Sequence, residues 1–497
     1  MERNVQVLKF GGTSVGSGER IRRVASIIAH ALHHDPDWFP VVVVSAMSGV
    51  TDQLLRIARF ACTGEHEQCQ RELTQLKQKH LDAAEQAIHK REGKQALLHD
   101  LHVAFTLLEQ DIEVTESRRN GFAENRNAAI YTASSIGAWG ERLSVLLVAA
   151  AARDLGIQAT PIREEIIITT DIETDTIPAF GTVIGAEPLT AETRANAHRL
   201  LHPVLEKGFV PIAPGFIGRT RQGFVTTLGR NGSDYSATVI GEALDCVEVT
   251  IFTDVDGVLS ADPRVVANAR LLSRLSYAEA ARLSWFGAKV LHPRTLIPVA
   301  HRNIPVRVRN TFRPHTRGTI VGPDFSERSN RSAAAAISVR RQLALITVEN
   351  TDLFGAPENA GQVFELAARA GAAPVAICSS SGHHLAFLVE ECAADSVIAL
   401  LQHDMGSWRV SSRRGLAACA CIGSGFTVDP MSPARAITAL ARERIPVISQ
   451  GASDTGIILI VEDEDSERAL RCLHRDLIAP VIPLVRHERQ EKRREVR

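Results

Sequence analysis

Val41–Val44, in VVVVSA, are four consecutive β-branched residues with no polar residue between them. A strand with one wet face alternates in polarity. A strand that does not alternate must be covered on both faces, as in a largely parallel sheet held between helices. VQVLKF from Val5, FVPIAPGF from Phe209, VEVTIFTDV from Val247 and IPVRV from Ile304 read as further strands of that sheet. IRRVASIIAHAL carries Ile21, Val24, Ile28 and Leu32 at helical spacing, a stripe that covers one face. The alternation runs from Val5 to about Val321 and predicts an α/β layered domain.

The remaining length needs other cores, because 497 residues exceed what a single core supports. Hydrophobic residues make up 45% and charged residues 23%, and the net charge of -1 provides no field toward nucleic acid or an anionic membrane. Eight cysteines are scattered without a CxxC pair, and the Cys419/Cys421 alternation suits a strand. This is the usage of a reduced, cytoplasmic chain. MERNVQVLKFGG has no apolar core of a signal peptide. The run LSVLLVAAAA after Arg142 has about half the length a membrane span needs and reads as a buried helix.

Residues 65–126 are rich in Gln, Glu, Lys, His and Leu with almost no Gly or Pro, and read as a helical insertion, an outward hairpin on the core. Arg313–Arg341, with PHTRGT and GPDFSERSNRS, reads as a boundary. Beyond it the chain repeats. Ala373–Ile377 lines up with Ile445–Ser449, Leu388–Glu390 with Ile460–Glu462, and the helix from Ile398 with that from Leu470, always at an offset of 72. Each unit reads strand, helix, strand, strand, helix, a ferredoxin-like order, without clustered acids around a nucleophile. The expected units are 1–325, 340–410 and 411–482, followed by a solvated charged tail at 483–497.

The loops that follow the strands carry the chemistry. In KFGGTSVG, Gly11 and Gly12 let backbone approach a ligand at a helix N-terminus, and Lys9 offers a point charge for phosphate oxygens. The Walker and dinucleotide patterns are both absent. VVSAMSGVTD leaves a strand through Ser45 toward a helix capped by Thr51. WGERLS places Glu141 and Arg142 ahead of an apolar helix, where an acid either suits the dipole or holds a substrate ammonium. LGRNGSDYSA spaces Arg230 and Asp234 four apart at a helix start, with Ser233 or Asp234 available as its cap. IFTDVDGVLSADPR brings Thr253, Asp254, Asp256 and Arg264, and FGAKVLHP brings Lys289. Loops of this kind on one sheet edge suit phosphoryl transfer, which depends on positioning and charge neutralisation.

The order KFGGTSV, SAxxGxT, GERLS, LGRNGSDYSA, TDVDGV…ADPR, FGAKVLHP resembles the aspartate kinases of the amino-acid-kinase family, from about Val5 to about Asp476. The resemblance implies an amino-acid-kinase fold, a mainly parallel sheet with helices on both faces, followed by two ferredoxin-like βαββαβ ACT domains. GRNGSDYSA and SYAEAARLSWFGAKVLHPRT look closest to the kinase half of aspartokinase–homoserine dehydrogenases, here without a dehydrogenase half, so a monofunctional kinase is expected. By resemblance, Lys9 with Gly11 and Gly12 holds the transferring phosphate. Ser45, Thr51 and Glu141 contact aspartate, Arg230 pairs with its α-carboxylate, and Asp234 orients the lysines. Thr253, Asp254, Arg264 and Lys289 match nucleotide positions. The implied cofactors are ATP and Mg²⁺, the implied effector lysine or threonine, and the implied assembly a homodimer or homotetramer.

Three departures stand out. Leu259 occupies a place where the family often has tyrosine. TDLFGAPENAGQVF lacks the usual glycine-and-methionine loop and brings Asp352 and Glu358, and AICSSSGHH lacks an asparagine that often holds the effector. Rival readings are a kinase of glutamate or acetylglutamate, and a non-catalytic amino-acid sensor on the same scaffold.

Overall fold

The computed structural model describes residues 4–478 apart from 35–36, 120–125, 173–184, 230, 289, 324–333, 351–357, 382–383, 406–407, 424–425, 427–428, 430 and 454. The expectations for Arg230, Lys289, Asp352 and the tail 483–497 therefore lie outside the described residues. The chain forms two compact units. The first holds 1–258, 271–281 and 290–325. The second holds 259–270, 282–289 and everything after 325.

In the first unit, the strands are β1 (Asn4–Phe10), β2 (Trp38–Val44), β3 (Ala159–Pro161), β4 (Ile167–Thr169), β5 (Val210–Pro214), β6 (Ile217–Thr220), β7 (Val225–Thr227), β8 (Glu248–Thr253), β9 (Arg274–Ser276), β10 (Val306–Asn310) and β11 (Thr319–Gly322). The helices begin with α1 (Gly18–His34), α2 (Val50–Thr63), α3 (His66–Ala87), α4 (Arg91–Arg118) and α5 (Arg126–Asp154). They continue with α6 (Thr190–Glu206), α7 (Gly232–Ala243) and α9 (Pro293–His301), while α8 (Tyr277–Trp285) begins in the first unit and its residues from Arg282 fall in the second.

Among the described residues the main sheet has the order β3-β5-β2-β1-β8-β10-β11-β9, and a small sheet has the order β4-β6-β7. The pairs of β1 with β2 and β8, of β2 with β5, and of β8 with β10 are all parallel. The register sets Phe10 beside both Val44 and Phe252, and Thr253 beside Asn310. Strands so aligned release their following loops on one edge, where open α/β sheets bind ligands. The five strands expected from the β-branched runs are all present. Val41–Val44 are fully buried, as a strand covered on both faces requires.

Helices α3 and α4 are not an outward hairpin. Cys69, Leu73, Leu76, Ala83, Leu97, Leu101, Phe105 and Leu108 belong to the same buried cluster as Phe10, Val42 and Val44. Their polar composition hid a narrow apolar stripe at helical spacing, enough to fix a helix on one side. The packing is tight: a Cβ at Gly18, at the start of α1, would collide with the Ala83 carbonyl of α3. Helix α5 runs well past the apolar stretch seen in the sequence. Among the described helices it alone is long and apolar enough to cross a membrane, and that stretch is mostly buried within the fold.

The second unit contains β12 (Ala336–Asn350), α10 (Glu358–Arg369), β13 (Ala376–Ser381), β14 (His384–Glu390), α11 (Ala394–Asp404), β15 (Trp408–Ile422), α12 (Met431–Arg442), β16 (Ser449–Ser453), β17 (Gly456–Glu462) and α13 (Ser466–Leu477). The order strand, helix, strand, strand, helix appears twice. Among the described residues the strands form one sheet, β13-β14-β12-β15-β17-β16. Long β12 and β15 pair antiparallel through both halves, so the division expected at 410/411 falls inside β15. Both strands bend at the junction, where Gln342 and Gly415 take left-handed backbone and the register shifts.

Candidate active site

The loop after β1 turns back at once, with the Ser14 and Val15 amides donating to the Gly11 carbonyl. Gly12 passes so close to the loop after β2 that a Cβ there would lie 2.9 Å from the Ala46 carbonyl. Only glycine fits such an approach without displacing the second loop. Ser14 Oγ lies 2.6 Å from Thr311 Oγ1, which ties the first loop to the end of β10.

Lys9 is the penultimate residue of β1. It is 7% exposed and forms an ion pair with Asp234 in the first turn of α7. A buried ammonium is costly unless paired, and this pair draws together two segments more than two hundred residues apart in sequence. The sequence offered Ser233 or Asp234 as the cap of α7, but neither acts as one. The cap residue is Asn231, in left-handed backbone and without a side-chain cap bond. Ser233 instead donates to Ser45 Oγ at 3.1 Å, and Asp234 goes to Lys9. Thr51 is likewise not a cap, since α2 starts at Val50 after left-handed Gly49. Thr51 sits half-buried in the first turn.

Glu141 lies in the middle of α5, not ahead of a helix, so the dipole argument does not hold it there. It is 1% exposed. One carboxylate oxygen accepts from the Ala46 amide at 3.0 Å, while Oε2 has no protein partner among the described residues. Burial pushes its pKa up to about 8, against the opposing pull of the Ala46 amide. Its neighbour Arg142 faces elsewhere, pairing with Glu165 and resting 4.9 Å over the Trp139 ring.

At the end of β8, Thr253 Oγ1 donates to Asp254 at 3.2 Å, and the Thr253 carbonyl accepts from Thr311 at 2.8 Å. Asp256 is held by Asn310 and Arg313, each within 2.8 Å. Arg264 belongs to the second unit, where its exposed guanidinium forks onto Asp262. Leu259 also falls in that unit.

The structure thus brings Lys9, Gly11, Gly12, Ser45, Asp234 and Glu141 together through direct bonds or close approach. Thr253 joins the set through Thr311 and Ser14. The sequence reading missed Ser14, Thr311 and Ser233 as ties between loops. Hydroxyls in serine- and threonine-rich turns give no signal of long-range pairing. Among the described residues, no group of three or more His, Cys, Asp or Glu forms a metal cage.

Comparison with known proteins places the chain in a family. The amino acid kinase family model matches residues 4–310, and an ACT domain model matches 420–477. The chain is 33% identical over 486 residues to the chloroplastic bifunctional aspartokinase/homoserine dehydrogenase 2 of Arabidopsis thaliana, covering 94% of this chain and 50% of that protein. It is 31% identical over 496 residues to aspartokinase 3, chloroplastic, of the same plant, covering 94% and 80%. The chain thus spans about half the length of the bifunctional relatives it matches. Among solved structures, E. coli aspartokinase III in complex with aspartate and ADP aligns with a TM-score of 0.75 at 28% identity, covering 95% of this chain and 99% of that one. The lysine and aspartate complex of aspartokinase III aligns at 0.72 and 29%. The chain belongs to the amino acid kinase family and, within it, to the aspartokinases.

Proposed function

We propose that this protein transfers the γ-phosphoryl group of ATP to the side-chain carboxylate of L-aspartate, giving 4-phospho-L-aspartate and ADP. A carboxylate oxygen forms the new bond to phosphorus as the bond to the ADP oxygen breaks. The acceptor is already ionised, so no general base is needed. The observation that carries this reading is the buried Lys9–Asp234 pair next to loops that also hold a buried, half-satisfied Glu141.

In this reading Lys9, over Gly11 and Gly12, neutralises charge on the transferring phosphate, and Asp234 fixes the direction of its ammonium. Glu141 offers Oε2 to the substrate ammonium, Arg230 takes the α-carboxylate, and Ser45 and Thr51 line the same pocket. Thr253, Asp254, Arg264 and Lys289 serve the nucleotide. Mg²⁺ would supply charge neutralisation on the phosphates when bound with the nucleotide.

The paired ACT-type modules bind a feedback amino acid, lysine or threonine, and assemble the chain as a homodimer or homotetramer. The reaction opens the synthesis of lysine, threonine and methionine, in the reducing cytoplasm that eight free cysteines suit. Aspartyl hydroxamate formation with ATP, Mg²⁺ and L-aspartate tests the activity. A folded protein that binds ATP yet makes no hydroxamate sinks it. Light scattering at micromolar protein tests the assembly, and a purely monomeric mass rejects it.

A further inference from the structure

The HPRT end of FGAKVLHPRT has no part in the site as described, yet its arginine is tied to the loop that carries Arg230. We propose that Arg294 is a positioning residue that holds the backbone of Leu228, Gly229 and Asn231 in the conformation aspartate binding needs; this rests on the reading of that loop as the α-carboxylate clamp.

Arg294 lies in the first turn of α9, behind His292 and Pro293, which start the helix. Its guanidinium donates to the Leu228 carbonyl at 3.0 Å, to the Ala186 carbonyl at 3.2 Å and to Glu187 Oε1 at 2.8 Å. The same group lies 4.5 Å over the Tyr235 ring. Leu228 and Tyr235 flank Arg230 on either side, so one planar cation grips the clamp loop before and after its functional residue. The loop needs such a grip. Gly229 and Asn231 both take left-handed backbone, with φ of 76° and 59°. Left-handed backbone is unfavourable for a non-glycine residue and persists where the surroundings over-determine it. The Leu228 amide is already used by the Phe216 carbonyl at 2.8 Å, which leaves the carbonyl for Arg294. Gly229 packs on Gly185, whose Cβ would lie 3.1 Å from both the guanidinium and the Leu228 carbonyl. Two carbonyls on separate segments, a carboxylate and a ring face are within reach of a rigid fork, but not of a lysine.

The test uses the full chain and the variants Arg294→Met and Arg294→Lys. Hydroxamate kinetics give KM and kcat for aspartate and for ATP. Amide exchange in the substrate-free protein follows the Gly232, Asp234 and Tyr235 amides, which bond to Gly229 and Asn231. Arg294→Met is expected to raise the aspartate KM about ten- to a hundredfold, leave the ATP KM unchanged and speed exchange at those amides, with Arg294→Lys falling between. An unchanged aspartate KM overturns the proposal. So does a uniform loss in both substrates with a lowered melting temperature and no selective exchange, which marks a merely structural arginine. If the unaltered protein fails to phosphorylate aspartate, the proposed function falls instead, and the exchange data alone decide whether Arg294 holds the loop.

Discussion

The two units treat buried charge in opposite ways. Among the described residues, the first buries Lys9, Glu141, Asp154, Glu248 and Glu279, while the buried polar side chains of the second are Ser260, Ser338, Ser432, Ser466 and His474. The core of the second unit is alanine, cysteine and aliphatic, with Ala417, Cys419, Cys421, Leu459 and Val461 lining its sheet. Within the first unit, Asp154 takes Arg22 and two amides, Glu248 takes a forked Arg307, and Glu279 accepts from Ser276. Glu141 has one amide for two oxygens. A buried carboxylate left so poorly satisfied lowers stability, and a protein keeps such a group where a ligand supplies the missing partner. The difference fits the proposed function, in which the first unit does the chemistry and the second packs and pairs.

The comparison is most exposed at Lys9. Lys9→Ala is expected to lower kcat for hydroxamate formation by about 10²–10³-fold or more, since a fixed cation at the developing phosphate charge is lost. Melting of the second unit should not change. Retained turnover would mean that the buried ion pair is scaffold, and the contrast between the units would lose its basis.

Glu141→Gln sharpens the contrast by separating function from stability. Glutamine keeps the Ala46 bond but cannot pair with an ammonium, and the aspartate KM is expected to rise by about 10²-fold. Burial raises the folded pKa of Glu141 from 4.5 to about 8. Between those values the folded protein holds a proton that the unfolded chain has released, so its contribution to stability falls as pH rises through that window. The variant lacks that fall and is expected to melt about 2–4 °C higher at pH above 8. The unaltered protein should bind aspartate more tightly as pH rises through about 8, where the carboxylate forms. Thermal scans and KM–pH profiles read both; a variant less stable at high pH would show that the carboxylate is satisfied after all.

In the second unit, Leu459→Ala opens a cavity in a fully buried strand and is expected to cost about 2–5 kcal/mol. Both Michaelis constants should hold wherever that unit stays folded, while inhibition by lysine or threonine, where present, weakens. A KM shift at temperatures well below melting would show that the second unit shapes the substrate site directly.

What could be read from the sequence follows how far each signal reaches along the chain. Continuous β-branched runs placed β1, β2, β5, β8 and β10, and the motifs KFGG, WGERLS and LGRNGSDYSA pointed to Lys9, Glu141 and Asp234, because these signals are local. The helix caps were misplaced. Gly49 and Asn231 act through left-handed backbone, whereas Thr51, Ser233 and Asp234 carry the side chains that usually cap. Glu141 was set at a helix start because α5 begins earlier, in a stretch with no apolar run. The sharing of β12 and β15 by both halves of the second sheet was out of reach, since alternation reports a face and not a neighbour. The role of α3 was hidden by its polar side.

That hidden helix supplies the smallest expected effect. Lys79 of α3 donates to the Ser48 carbonyl at 2.6 Å, in the loop between Ser45 and Thr51. Burial depresses its pKa, so part of its solvation has already been given up for this one bond. The bond is partly exposed, and a net contribution of about 1 kcal/mol corresponds to roughly fivefold in binding. Lys79→Met keeps an aliphatic stem of similar length while removing the donor. It should raise the aspartate KM by about two- to fivefold, with a smaller change in the ATP KM, because the bond ends on the loop that carries Ser45 and Thr51. No change would reduce α3 to a packing element. A loss exceeding that of Glu141→Gln would move the centre of substrate control from the strand edge to the helical insertion, and the ranking of buried groups drawn from the two units would have to be rebuilt around it.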